Sequence, residues 1–447
     1  MRVLTLAIYA TAVACAQATA QDDASRIAWL KDNAVVIRTI DPRDEDYADL
    51  EPLIAAIGDA RIVQLGEQSH GDGACFHAKS RIAKFLHVRM GFDLIVFESG
   101  FFDCTLANAA FARGDDPLTA ARFGIFGIWS ESEQVRALWE YIADSHRGGN
   151  PLHLAGFDSQ LTGDGFSEFI PSLEGFLAKS LPGTMTAVLR ESLRKGVSHV
   201  SNPREHRLSR EEFGEFLVAA DEIIAVFDAA LLNERQADTE AMQVQRRYVV
   251  NLRAFVSQMY WQTNAAQAKE EGEDWTKYRE PFMAETLLLI ARTLHPDRKI
   301  ITWGASSHLM HGSRGIEWQQ PAGGYGPDPT GFVPMGDTVR EALGEEVYTI
   351  GFIAYGGAVG RPWTGTSPLP TAPKGSLDEL CFQTGERFLF VDLRGPRHHG
   401  EPTWLLEPLI ARPRGYVPMR ARWPETCDAM VFTAWMYPST RAVEIAP

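Results

Sequence analysis

Long apolar runs are scarce in this chain of 447 residues: beyond its first fifteen positions, none reaches the roughly 18 continuous apolar residues that a membrane-spanning helix needs. Blocks of lysine and arginine are missing as well, and the formal net charge is −15. Without a concentrated basic face to hold phosphates, a nucleic-acid partner is excluded. There is no HExxH segment and no two-cysteine framework, so the common zinc spacings are absent. No G-x-S-x-G elbow is present to expose a serine nucleophile, although Ser306 and Ser307 precede His308. Internal repeats and low-complexity tracts are lacking too, and 45% hydrophobic with 23% charged residues is the balance of a folded globular chain with little room for long disorder.

The one early apolar run has a clear meaning. "MRVLTLAIYATAVACAQATA" carries Arg2, then apolar residues from Val3 to about Cys15, then the small-residue site Ala18-Thr19-Ala20 before polar Gln21. This is the pattern of a secretory signal peptide over residues 1–20, cut after Ala20, and it predicts a periplasmic or secreted protein. Four of the five cysteines follow the leader: Cys75, Cys104, Cys381 and Cys427. In an oxidising compartment they permit disulfides, and four cysteines allow three full pairings. Cys381 with Cys427 is the favoured pair, because Cys75 and Cys104 lie near the candidate chemistry and suit the role of small buried hydrophobes.

Along the chain, "RIVQLGE" reads as a buried strand ending in a glycine turn, residues 78–89 have helical spacing, and "FDLIVFES" is a second apolar strand. Strand, helix, strand predicts a parallel βαβ unit. "PLHLAGFDSQ" is a third strand candidate. From about residue 167 to 294 the pattern turns helical, and strand signals return at "KIITWGASSHL", "VYTIGFIAY", "RFLFVDLR" and "DAMVFTAWM". The Gly/Pro-rich "QQPAGGYGPDPTGF", residues 319–332, predicts a long loop suited to a lid.

Chemistry in open parallel sheets gathers at the carboxyl ends of strands. Three of these predicted ends carry ionisable residues: Glu67 and His70 after the first, Glu98 at the second, and His308 after "IITWGASS". A carboxylate there can orient a histidine, a second histidine can donate to a developing oxyanion, and Lys79 or Arg81 can hold an anion. His77, seven residues beyond His70, reads as a helix-face residue, and His398 and His399 read as solvated loop residues. No metal and no cofactor is expected.

The run Gly66-Glu67-x-x-His70-Gly71, followed by Phe76, Lys79 and Arg81 and then Phe97-Glu98, resembles the erythromycin esterase-like family. The resemblance continues through "GIWSESEQVRALWEYI", "GFDSQ", "YREPFMAETL", "IITWGASSHL" and "FLFVDLRG". It implies one α/β domain over residues 21–447, with a mostly parallel central sheet flanked by helices and an all-helical insertion at about 165–295 forming a cleft. It also implies hydrolysis of an ester or macrolide-type lactone, the chemistry of the resistance enzymes, with a histidine as general base on water and no covalent intermediate. Carried over, His70 is the base, Glu67 and Glu98 orient it or the water, Lys79 and Arg81 supply positive charge to substrate, and His308 places water or stabilises the oxyanion. A monomer acting on a small-molecule ester or lactone is expected. One departure matters: the family commonly reads W-A-H-N-x-H where this chain reads Trp303-Gly304-Ala305-Ser306-Ser307-His308. The alternative is therefore a catalytically altered binding protein on the same fold, for a polysaccharide or a hydrophobic small molecule.

Overall fold

The computed structural model describes residues 22–232, 239–321 and 323–442. The expected signal peptide lies outside the described residues. The fold is mixed α/β, with a large, mostly parallel central sheet flanked by helices. In chain order the strands are β1 (Val35–Val36), β2 (Ile62–Leu65), β3 (Leu94–Gly100), β4 (His153–Asp158), β5 (Ile300–Trp303), β6 (Glu317–Gln319) and β7 (Tyr325–Pro327), followed by β8 (Val347–Val359), β9 (Ser367–Leu369), β10 (Phe388–Asp392), β11 (Leu409–Ala411), β12 (Met419–Ala421) and β13 (Ala429–Met436). Every residue of β2 and β3 is buried, as expected of strands covered on both faces, which read as continuous apolar runs.

The chain forms two compact units. Among the described residues, the first comprises those from Asp22 to Phe85, with Ala305–Phe332 and Tyr348–Arg441. In it β10 pairs antiparallel with β1 and β13, and β13 runs parallel to β8. Its core gathers Ile353, Leu377, Leu389, Val391, Met430 and Phe432. A second sheet, β11-β12-β6-β7, is antiparallel throughout. The segment 319–332, expected as one long loop, thus contributes its first half to a hairpin: Gln319 pairs with Tyr325, and Gly323 and Gly324 take the positive φ of 89° and 79° that its turn requires.

Among the described residues, the second unit comprises those of Leu86–Gly304 and Val333–Val347, with Ala442. Here β3 is central, parallel to β4 on one side and β5 on the other. Among the described residues, β4 and β5 are joined by helical elements alone. Those used below are α1 (Gly73–Met90), which starts in the first unit, α2 (Phe101–Arg113), α3 (Arg210–Leu231) and α4 (Glu280–Leu289). α3 begins with a reciprocal capping box: Ser209 accepts from the Glu212 N–H and the Glu212 carboxylate accepts from the Ser209 N–H.

The favoured disulfide is not formed. All four described cysteines are free thiols, and Cys381 and Cys427 sit fully buried in the same hydrophobic core, where each serves as a small apolar side chain.

Candidate active site

The turn after β2 builds the first half of the chemistry. A Cβ on Gly66 would lie 2.5 Å from Ser306 Oγ and 3.1 Å from the Ile350 carbonyl, so only glycine lets the strand end this close to its neighbours. Glu67 and His70 then fall on the same side of the turn, with His70 Nδ1 2.8 Å from Glu67 Oε1. Lys79, on α1, donates from Nζ to the other oxygen, Glu67 Oε2, at 2.6 Å. The Glu67 and Lys79 side chains are 0% exposed, whereas that of His70 is 26% exposed. A carboxylate only accepts, so the proton of this contact belongs to Nδ1, and Nε2 is the basic atom of the ring.

Two further segments of the first unit hold this turn. Ser306 N donates to the Glu67 carbonyl at 2.9 Å, which docks the short helix Ser306–Leu309, and with it buried His308, against the His70 loop. Gln68 is gripped on both ends: its Nε2 donates to the Arg412 carbonyl at 2.8 Å, and its own carbonyl accepts from Gly415 N at 2.8 Å. Gly415 and Tyr416 have φ of 58° and 60°, and Val417 N donates to the Arg414 carbonyl at 3.1 Å. This is a type I′ turn with a tyrosine where glycine is favoured, a conformation costing on the order of 1 kcal/mol. The Tyr416 side chain is buried beside Asp72, whose carboxyl is pushed well above the usual range by burial and accepts from Ser69 N at 2.9 Å. Arg414 lies over the Trp318 ring at 5.0 Å and the Phe332 ring at 5.6 Å, and Phe332 meets His308 edge-on at 6.3 Å.

In the second unit, Glu98 is held by an arginine. Arg279 Nη2 donates to Glu98 Oε1 at 2.9 Å and to Asp158 Oδ2 at 2.7 Å. Burial alone would lower the pKa of the Arg279 guanidinium, but Asp158 and Glu98 outweigh it and hold that pKa above the ordinary arginine value. The motif segments "GFDSQ" and "YREPFMAETL" contain Asp158 and Arg279, but no local pattern ties those two residues to Glu98. Sequence reasoning missed both.

Arg81 is a correction. Its guanidinium forms a fork with Asp49, with Nη1 at 2.9 Å from Oδ2 and Nη2 at 2.7 Å from Oδ1, and also donates to the Thr39 carbonyl. It is a buried structural pair, turned away from Glu67. His77 donates to or accepts from the Tyr437 hydroxyl at 2.7 Å, and burial lowers its pKa to about 4. His398 and His399 are exposed on a short helix. Among the described residues, no group of three or more His, Cys, Asp or Glu could hold a metal ion. No helix among them is long and apolar enough to cross a membrane.

An α/β chain whose strand ends present a carboxylate-oriented histidine has the ground plan of an esterase-type hydrolase. The comparisons give that class a family. The family described as Erythromycin esterase matches residues 87–435, and the chain belongs to it. A putative hydrolase of Bacillus subtilis (strain 168), YbfO, is 27% identical over 432 residues, 92% of this chain and 91% of that protein. Erythromycin esterase type II of Escherichia coli is 35% identical over 80 residues, 18% of this chain and 19% of that one. Among solved structures, a Bacillus cereus protein aligns with a TM-score of 0.75 at 18% identity, over 94% of this chain and 99% of its own. A histidine-to-asparagine mutant of the erythromycin esterase EreC, in its open conformation, aligns with a TM-score of 0.69 at 16% identity, over 93% and 100%. The last two likenesses concern the fold.

Proposed function

We propose that this protein is an exported, periplasmic or secreted, hydrolase of an ester or macrolide-type lactone, in which His70 is the general base on water. The observation that carries the proposal is the Glu67 carboxylate, shared between His70 Nδ1 at 2.8 Å and Lys79 Nζ at 2.6 Å. A buried lysine pins the carboxylate, and the carboxylate pins the ring and its tautomer. The side chain left toward solvent is the one that must meet water and substrate. Family membership supports the hydrolytic class.

In the proposed reaction, His70 Nε2 takes a proton from water as the water oxygen bonds to the acyl carbon. The carbonyl electron pair moves onto its oxygen, and the oxyanion then re-forms the carbonyl and expels the alkoxide. The imidazolium returns its proton to that alkoxide, leaving a carboxylic acid and an alcohol with no acyl-enzyme. His308, held beside the His70 loop through Ser306, is assigned to the water or the oxyanion. Glu98 enters as a water-orienting carboxylate on the family resemblance alone. Arg81 is committed to Asp49, and Lys79 serves Glu67.

The second reading, a binding protein with altered chemistry, draws on Ala305 and Ser306, which stand where the family commonly has histidine and asparagine. Initial rates on a panel of p-nitrophenyl esters and macrocyclic lactones separate the two. Hydrolysis is expected, with His70→Ala slower by at least about 10² at unchanged fold. Equal rates for wild type and variant, or no turnover of any panel member, would remove His70 as the base.

A further inference from the structure

The charged cluster of the second unit asks for an explanation that ion pairing does not supply. Glu98 and Asp158 lie at the carboxyl ends of the adjacent parallel strands β3 and β4, and their side chains are 2% and 0% exposed. Two carboxylates brought together in a buried place repel, and a buried ion pair is a weak source of stability against its desolvation cost. Arg279 answers the repulsion by bridging the two. It donates to Asp158 from two nitrogens, Nη2 at 2.7 Å to Oδ2 and Nε at 3.4 Å to Oδ1, and to Glu98 Oε1 from the same Nη2 at 2.9 Å. Asp158 therefore orients the guanidinium, and the guanidinium orients Glu98.

The backbone around Glu98 is shaped to the same end. The register of β3 against β4 shifts between Phe97 and Gly100, an irregularity that spans Glu98 and Ser99. Gly156 makes this possible, since a Cβ there would meet the Ser99 carbonyl oxygen at 2.3 Å. On the far side a Cβ on Gly304 would stand 3.1 Å from Glu98 Oε2 and 3.2 Å from Phe157. One carboxylate oxygen thus faces the arginine while the other packs close to the Gly304 backbone. Arg279 is itself fixed at the N-cap of α4, where Pro281 sets the first turn and the buried Glu280 accepts from Met335 N at 2.9 Å.

We infer that Arg279 is a positioning residue for the hydrolytic reaction: with Asp158 as its anchor, it holds Glu98 in the one orientation in which that carboxylate serves catalysis. The inference rests on the proposed function for the use made of Glu98, and on geometry for the clamp. A purely structural arginine would be replaceable in its chemical effect by anything that restores stability; a positioning arginine is not.

The test uses the full chain and the ester panel, with Arg279→Gln, Arg279→Lys, Asp158→Asn, Glu98→Gln, the double variant Glu98→Gln/Arg279→Gln, and His70→Ala in parallel. Arg279→Gln should lower kcat by about 10²-fold, as expected for a misplaced reacting group, with KM nearly unchanged. Arg279→Lys should recover part of that loss. The double variant should be no slower than Glu98→Gln alone, because once the carboxylate's charge is gone there is nothing left to position. Where Arg279→Gln does not fold, Asp158→Asn, which loosens the arginine and keeps the shape, must show the same kcat loss. Full kcat in folded Arg279→Gln or Asp158→Asn alongside a slow His70→Ala overturns the positioning role and leaves the proposed function intact. A loss confined to KM, or losses that multiply fully in the double variant, also overturns it, since the arginine would then act on substrate directly. An unchanged rate in His70→Ala overturns the hydrolytic reading and the positioning role together.

Discussion

Replacing Glu67 by glutamine separates what its carboxylate does for the fold from what it does for the chemistry. The side chain keeps its length and loses its charge, so the fully buried Lys79 ammonium, 2.6 Å from Glu67 Oε2, loses its carboxylate counter-charge. Breaking a buried pair from one side costs about 3–5 kcal/mol, which for a protein of this size lowers Tm by roughly 3–6 °C. At the same time, one amide oxygen must serve two donors, Lys79 Nζ and His70 Nδ1, so the ring no longer has a charged acceptor to fix its tautomer, and the hydrolytic rate should fall by about 10² or more. The double variant Glu67→Gln/Lys79→Met removes both charges and should regain most of the lost Tm, because no uncompensated buried charge remains. It should regain none of the rate. Thermal unfolding followed by circular dichroism, with initial rates on the same samples, reads both effects. A double variant that recovers activity would refute the reasoning, since it would show that the carboxylate serves only to neutralise Lys79. A Glu67→Gln variant with wild-type Tm would equally show that the buried pair does not bear on folding.

Further outcomes follow from other parts of the molecule. Asp103 on α2 is fully buried, and burial pushes its carboxyl up to about 8. Its neutral form persists in the fold after the unfolded chain has ionised, so over that pH range stability falls by about 1.4 kcal/mol per unit as pH rises. Asp103→Asn, which can still accept from Thr162 N, should therefore raise Tm near pH 8 and match wild type toward pH 4; a constant offset across the range would contradict this. Because the four described cysteines are free thiols, dithiothreitol should leave Tm unchanged, and a fall on reduction would restore the disulfide.

The part of the fold legible in the sequence is the part written locally. β2 and β3 announce themselves as unbroken apolar runs because both their faces are covered. Glu67 and His70, three positions apart across a glycine turn at a strand end, needed no tertiary information to be paired. Lys79 and Arg81 show where such reasoning stops. Residues two apart on a helix point in nearly opposite directions, so the two cations could not both serve one site, and helical spacing alone was enough to say so. Which of them faces Glu67 is decided by Asp49, 32 positions before Arg81, and no pattern announces that partner. The Arg279 clamp is hidden for the same reason: its partners stand 181 and 121 positions away, on strands that the sequence predicts but does not align side by side. The hairpin inside 319–332 was obscured by its own glycines, which mark a turn and a loop alike.

The grip of the Arg414-Gly415-Tyr416-Val417 turn on Gln68 has a bearing on how the protein comes into being. Gln68 hydrogen-bonds to Arg412 across 344 positions of chain, and the unit that contains both is assembled from three separated segments. At ribosomal speeds of about 5–20 residues per second, roughly 20–70 s pass between the emergence of the His70 loop and the arrival of the segment that secures it. Throughout that interval the loop lacks the hairpin that later fixes it. A nascent chain thus lacks one of the two clamps on the His70 loop until residue 415 has emerged, and any truncation ahead of β11 removes the partners of Gln68 while leaving the Ser306 contact in place.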